Sequence, residues 1–189
     1  MAKSLMNICE SVNVDGREYK INTDFRVWIE IERLLFEKSS DDEERLAKIL
    51  VSAYPVLPPD PGKAIEKIIW FYSGGEVCEK ESGQAPKAPV YDLQEDFDYV
   101  WGAFKGEFGI DLTSEKMHWW KFRVLLGCLS DECFFSKVVG YRSMDLSLIK
   151  DKEQRRFFER MKKRFRLPGL ENSMFCEEKM AENLAAAFD

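Results

Sequence analysis

The stretch "SVNVDGREYKINTDFRVWIEIERLLF", residues 11–36, holds both of the periodicities that decide the fold. Its first half alternates. Val12, Val14, Tyr19 and Ile21 fall on one side and Ser11, Asn13, Glu18 and Lys20 on the other, which is the split of a half-buried hairpin. Asp15 and Gly16 stand where a two-residue turn needs positive φ at both central positions. The spacing therefore predicts Val12 opposite Tyr19, Val14 opposite Arg17, and Glu10 opposite Ile21. After Asn22 the period becomes helical: Phe25, Trp28, Ile29, Glu32 and Phe36 share a face, and Thr23 or Asp24 can cap the first amides.

Outward from this stretch the patterns are helical. "DDEERLAKILVSAY" opens with acids that suit the positive end of a helix dipole, repeats Leu46, Ile49, Leu50 and Ala53, and stops at Pro55. "PGKAIEKIIWFY" places Ile65, Ile68, Ile69 and Tyr72 on one side. From residue 73, glycine, proline, serine and charge displace the apolar pattern, which marks a linker. Beyond it, Asp92 with Glu95 suggests a capping box for a helix carrying Phe97, Val100, Trp101, Phe104 and Phe108 and closed by Gly109. A further helix is expected from Thr113 or Ser114 through "MHWWKFRVLLGCL", burying some of Met117, Trp120, Val124, Leu125 and Leu129. Ser130 or Asp131 is the expected cap of "ECFFSKVVGY". Another helix within "SLIKDKEQRRFFERMKKRFRL" sets Phe157, Phe158, Met161 and Phe165 against a basic face.

The expected fold is mainly α with a small N-terminal β-hairpin, a compact multi-helix domain. Its expected organisation is a hairpin plus helices over residues 1–73, a linker over 74–90, a second helical region over 91–167, and a tail over 168–189 with a short helix in "CEEKMAENLAAAF".

At 189 residues, with 45% hydrophobic and 33% charged residues, the chain can bury a core without disulfides or metals. The five cysteines are scattered, odd in number and form no CxxC pair, which fits a reducing compartment. No signal-peptide core or membrane span is visible, so no membrane association is expected. A net charge of −6 argues against a general nucleic-acid binder. The charge is unevenly spread: residues 150–166 hold nine Lys or Arg against three acids, a local +6, leaving −12 on the remainder of a chain whose total is −6. Such asymmetry favours contacts within or between protein chains as readily as contacts to phosphate.

The chemistry-bearing residues are sparse. His118 is the only histidine, and a metal site needs three or four ligands. Cys128 and Cys133 supply at most two thiolates and read as small packed residues. A hydrolase would need a nucleophile oriented by a base, yet there is no GxSxG elbow, and neither "YSGGE" nor "GCLSD" has the spacing of a phosphate loop. No catalytic residue, metal ligand or cofactor is assigned, and a non-enzymatic role is expected. "HWWKFR" interleaves aromatic and basic residues as base-stacking strips do, but its helical period favours core or a partner-facing surface. The candidate partner-binding residues are Trp119, Trp120, Phe122 and Arg123 from this motif, and Arg155, Arg156, Arg160 and Lys163 from the basic helix. "DDEE" at 41–44 and "DLQEDFD" at 92–98 are candidates to neutralise that helix.

In order and spacing, "VYDLQEDFDYVWGAFKGEFGIDL", "HWWKFRVLLGCL" and "GYRSMDLSLIKDKEQRRFFERMKKRF" resemble the bacteriophage "gene product fifteen" family of tailed phages and prophages of Gram-positive bacteria. The resemblance is strongest over Tyr91 to Phe165. It implies a gene in the tail-morphogenesis region near that of the tape-measure protein, and no catalytic residues. The implied function is a tail assembly chaperone that binds the tape-measure protein in the bacterial host cytoplasm. The tail-tube protein and further copies of the chain are additional expected partners. A structural virion component at the tail or head-tail junction is the alternative, and a DNA-binding accessory protein the third reading.

Overall fold

In the computed structural model the described residues are 5, 8–36, 42–75 and 90–167. They form a β-hairpin followed by seven α-helices, the mainly α fold expected. Strands β1 (Ser11–Val14) and β2 (Arg17–Lys20) precede helices α1 (Phe25–Phe36), α2 (Asp42–Ala53), α3 (Pro61–Tyr72), α4 (Phe97–Phe108), α5 (Trp119–Gly127), α6 (Phe134–Ser143) and α7 (Lys152–Arg164). A short 3-10 turn at Leu146–Leu148 lies between the last two helices. The expected tail helix falls outside the described residues, as does most of the 74–90 linker.

The hairpin has the expected register: Val12 faces Tyr19 and Val14 faces Arg17, and the Ile21 N–H donates to the Glu10 carbonyl at 3.1 Å. Asp15 and Gly16 take φ of 52° and 79°, the left-handed pair that this tight turn requires. Val12, Val14, Tyr19 and Ile21 are all buried.

The fold divides into two compact units that do not follow the linear order. One holds the described residues up to 75 together with Lys116–Val124, and the other holds residues 90–115 and 125–167. The segment 116–124, placed by sequence with the second helical region, thus belongs to the core of the first. That core contains Phe25, Trp28 and Ile31 of α1, Ile49 of α2, Ile68 and Phe71 of α3, and Trp119 and Phe122 of α5. Phe25 stacks on Phe122 with centroids 4.8 Å apart, and Trp28 stacks on Phe71 at 4.7 Å. Glu32, on the apolar face of α1, is also buried; its Oε2 accepts the Tyr72 hydroxyl at 2.6 Å. Burial pushes the Tyr54 hydroxyl pKa up, and that hydroxyl donates to the Ala64 carbonyl at 2.8 Å.

In the second unit, α4 packs on α6 and α6 on α7, around Val100, Phe104, Leu112, Phe135 and Val138. Its polar centre is Arg142. The guanidinium makes a two-pronged pair with Asp96 through Nη1 at 2.5 Å and Nη2 at 2.8 Å. It also donates to the carbonyls of Val90 and Phe165. The side chains of Arg142 and Asp96 are 9% and 2% exposed, so this is a buried pair with its hydrogen-bonding capacity well used.

Three helix starts differ from the sequence reading. Asp92 Oδ1 accepts the N–H groups of Gln94 and Glu95 at 2.8 and 2.9 Å, but it caps a turn over 93–96, and α4 begins at Phe97. The second difference is larger. No helix starts at Thr113: Asp111 Oδ1 takes the Thr113 N–H, and the Asp111 N–H is taken by Glu115, which closes a local turn. Residues 117–119 then run extended against 23–25, with Phe25 N–H to the Met117 carbonyl at 3.0 Å and Trp119 N–H to the Thr23 carbonyl at 2.7 Å. Helix α5 therefore begins at Trp119. Helix α6 is likewise capped at Cys133, whose Sγ accepts the Ser136 N–H, while Ser130 donates to Glu107.

Candidate functional site

The "HWWKFR" motif forms a joint inside the first unit. Helix α3 ends at Tyr72, and its last carbonyls have no partner further along the helix. The Trp120 indole Nε1 donates to the Phe71 carbonyl at 2.7 Å, and the Trp119 Nε1 to the Tyr72 carbonyl at 2.9 Å. Arg123 Nη1 donates to the same Tyr72 carbonyl at 2.7 Å, which sets a cation at the negative end of the α3 dipole. Gly74 and Gly75, both with φ of 80°, turn the chain away from this end. A Cβ on Gly75 would stand 3.0 Å from the Trp120 ring.

Four of the eight candidate partner-binding residues therefore lie in or against the core of the first unit. Trp119, Trp120 and Phe122 are buried at 2%, 4% and 0% exposure, and Arg123 is held on Tyr72. A helical period limits how many neighbouring residues one flat core can take, and sequence reading accordingly buries one tryptophan. Here α1 and α3 both face the start of α5, so both rings are inside. Val124, expected in the core, is 46% exposed.

His118 sits at the cap position of α5. Its Nδ1 accepts the Trp120 N–H at 3.0 Å, and its Nε2 lies 2.9 Å from the Cys9 carbonyl. Since Nδ1 accepts, the proton resides on Nε2 and is donated to Cys9, which defines a neutral imidazole. Burial holds its pKa below 6.5, against a smaller opposing effect of the Cys9 hydrogen bond. Histidine is outside the usual set of capping residues, so the pattern alone gave no sign of this role.

The other four candidates share helix α7, on which no side chain is buried. Asp151 caps it by accepting the Gln154 N–H at 2.7 Å. Arg155 pairs with Glu159 at 3.2 Å. Arg156, Arg160 and Lys163 follow at four- and three-residue steps, so they fall on one face, where they line an open groove with Glu153 and Glu159. Among the described residues none of these three bases has an ion-pair partner. The opposite face, with Phe158, Met161 and Phe165, turns toward Tyr141, which stacks on Phe165 at 5.8 Å.

A second groove in the same unit was not foreseen. It is an open channel of about 530 Å³ lined by Asp98, Tyr99, Gly102, Gly106, Glu107, Glu132 and Phe134, among others. A Cβ on Gly102 or Gly106 would meet nothing within 4 Å, and Phe134 on its rim is 51% exposed. Glu107 accepts the hydroxyl and N–H of Ser130, which hold its carboxyl below the usual range. Nearby, hydrogen bonds from Thr113 and Trp101 hold Asp111 well below that range.

These features define a mainly helical protein whose signature aromatics build its core and whose free chemistry is surface charge. The sequence model for the bacteriophage Gp15 protein family matches residues 5–167, and the chain belongs to that family. Membership makes it a bacteriophage protein and suggests a structural or morphogenesis protein of the phage. No curated protein and no solved structure matches the chain. Among the described residues no helix is long and apolar enough to cross a membrane.

Proposed function

We propose that the protein is a non-enzymatic tail assembly chaperone that binds the tape-measure protein during tail formation in the host cytoplasm. The observation that carries this reading is family membership over residues 5–167. The surfaces suit it: a tape-measure segment is a long helix, and helices are bound by grooves or by complementary charged faces. The α7 face and the Gly102/Gly106 groove are of those two kinds, and no catalytic constellation is needed for such work.

Coexpression with the tape-measure protein of the same phage tests the reading. The expected result is a larger soluble fraction of tape-measure protein and its copurification with this chain. The absence of both a gain in solubility and copurification would overturn it. Mass spectrometry of mature particles provides the second readout, because stoichiometric retention there would favour a structural virion component at the tail or head-tail junction.

A further inference from the structure

We infer that the basic face of α7 docks into the acidic Gly102/Gly106 groove of a second copy of this chain, so that copies associate head to tail. It concerns the same two surfaces as the tape-measure reading, and it is tested on the chain by itself, without the tape-measure protein.

The two surfaces are opposite in sign. Arg156, Arg160 and Lys163 span eight residues of helix, about 10 Å, and are exposed without an ion-pair partner among the described residues, beside Glu153 and Glu159 of the same helix. Asp98 and Glu107, with Glu132 across the groove, carry three negative charges on its rim. Of these, Asp98 has no described ion pair, Glu107 keeps its charge while accepting from Ser130, and Glu132 meets Lys137 at 3.0 Å with its side chain 89% exposed. The Gly102 and Gly106 positions lie one turn apart on α4 with open space above them, which lets another helix approach the backbone closely. Tyr99 and the half-exposed Phe134 add apolar area beside the charges. A second copy is the favoured occupant because the chain divides its charge: the basic segment at +6 faces a remainder at −12. Since the two surfaces are different patches of one unit, the contact is heterologous, and repetition yields a ring or a filament and not a closed two-fold dimer.

The test is sedimentation of the full chain at low and high salt, with two charge-reversed variants. One carries Arg156→Glu, Arg160→Glu and Lys163→Glu; the other carries Asp98→Lys and Glu132→Lys, leaving Glu107 to hold Ser130. Wild type is expected to self-associate at low salt and dissociate as salt rises. Each variant alone should associate about tenfold or more weakly, and mixing the two should restore association, because each then offers the surface that the other lacks. A wild type that stays monomeric at low salt, variants that associate as wild type does, or a mixture without recovery would each overturn the proposal. Lys163→Glu with Asp98→Lys repeats the exchange with milder changes should a multiple variant fail to fold. Loss in the groove variant alone would assign the groove to a different partner surface and equally overturn it.

Discussion

At the residue scale, His118 illustrates how a lone histidine can be structural through both of its nitrogens. Nδ1 caps α5 and Nε2–H reaches Cys9, 109 residues away in sequence. Protonation would turn Nδ1 from acceptor to donor and break the cap. Because the folded pKa lies below the unfolded value of about 6.5, the unfolded state binds the extra proton first. This contribution to stability is therefore full above pH 6.5 and is lost as pH falls through the folded pKa. His118→Asn keeps an acceptor near the Nδ1 position and cannot titrate. Urea unfolding across pH 5–7 should show a weaker pH dependence for it than for wild type, with a cost of about 1 kcal/mol at neutral pH from the lost Cys9 bond. His118→Gln, nearly silent if the residue were mere packing, should also cost about 1 kcal/mol, since its longer side chain leaves the cap unmade. The tryptophans are tested in the same way. Trp119→Ala should destabilise by about 3–5 kcal/mol, whereas Trp120→Phe should cost about 1 kcal/mol, because the Phe71 carbonyl loses the indole N–H but keeps the Gly74 N–H. Both losses should appear in unfolding curves and not only in partner binding.

At the scale of elements, the end of α3 and the start of α5 form one joint, and the glycines after α3 are part of it. Gly75→Ala combines a left-handed backbone with a Cβ at 3.0 Å from Trp120, so a loss of about 1–3 kcal/mol is expected in thermal or chemical melts. In the second unit, Arg142 ties α6 to the entry of α4 and to the residue after α7. Arg142→Met removes the guanidinium and leaves the Asp96 carboxylate buried without its partner, at a cost of about 3–5 kcal/mol. The double variant Arg142→Met/Asp96→Leu should recover much of that loss, because the penalty comes from the stranded charge. Double-mutant unfolding measures the difference directly.

At the scale of the whole molecule, the basic helix α7 presents a charged face that takes no part in its packing on α6. Its surface reversals should change stability by only about 0.5 kcal/mol while changing association and its salt dependence. That separation distinguishes α7 from "HWWKFR", where substitution unfolds the protein before any partner is tested. Trp119, Trp120 and Phe122 are buried and Arg123 half-buried, whereas Arg155, Arg156, Arg160 and Lys163 are exposed.

The residues by themselves determined what depends on near neighbours. Asp15-Gly16 and two-residue alternation set the hairpin register, three- and four-residue apolar spacing placed the helical segments, and Gly109 ended α4 with a φ of 71°. The surface exposure of α7 followed from its density of charge. Tertiary structure alone decided where α5 starts, because residues 23–25 and 117–119 pair across more than ninety residues and compete with the local helix. It also decided that both tryptophans go inward and that Arg142 becomes the centre of the second unit. The cause is the same in each case. Orphan carbonyls and buried charges must find donors wherever the folded chain brings them, and spacing along the sequence does not record which distant backbone will be there.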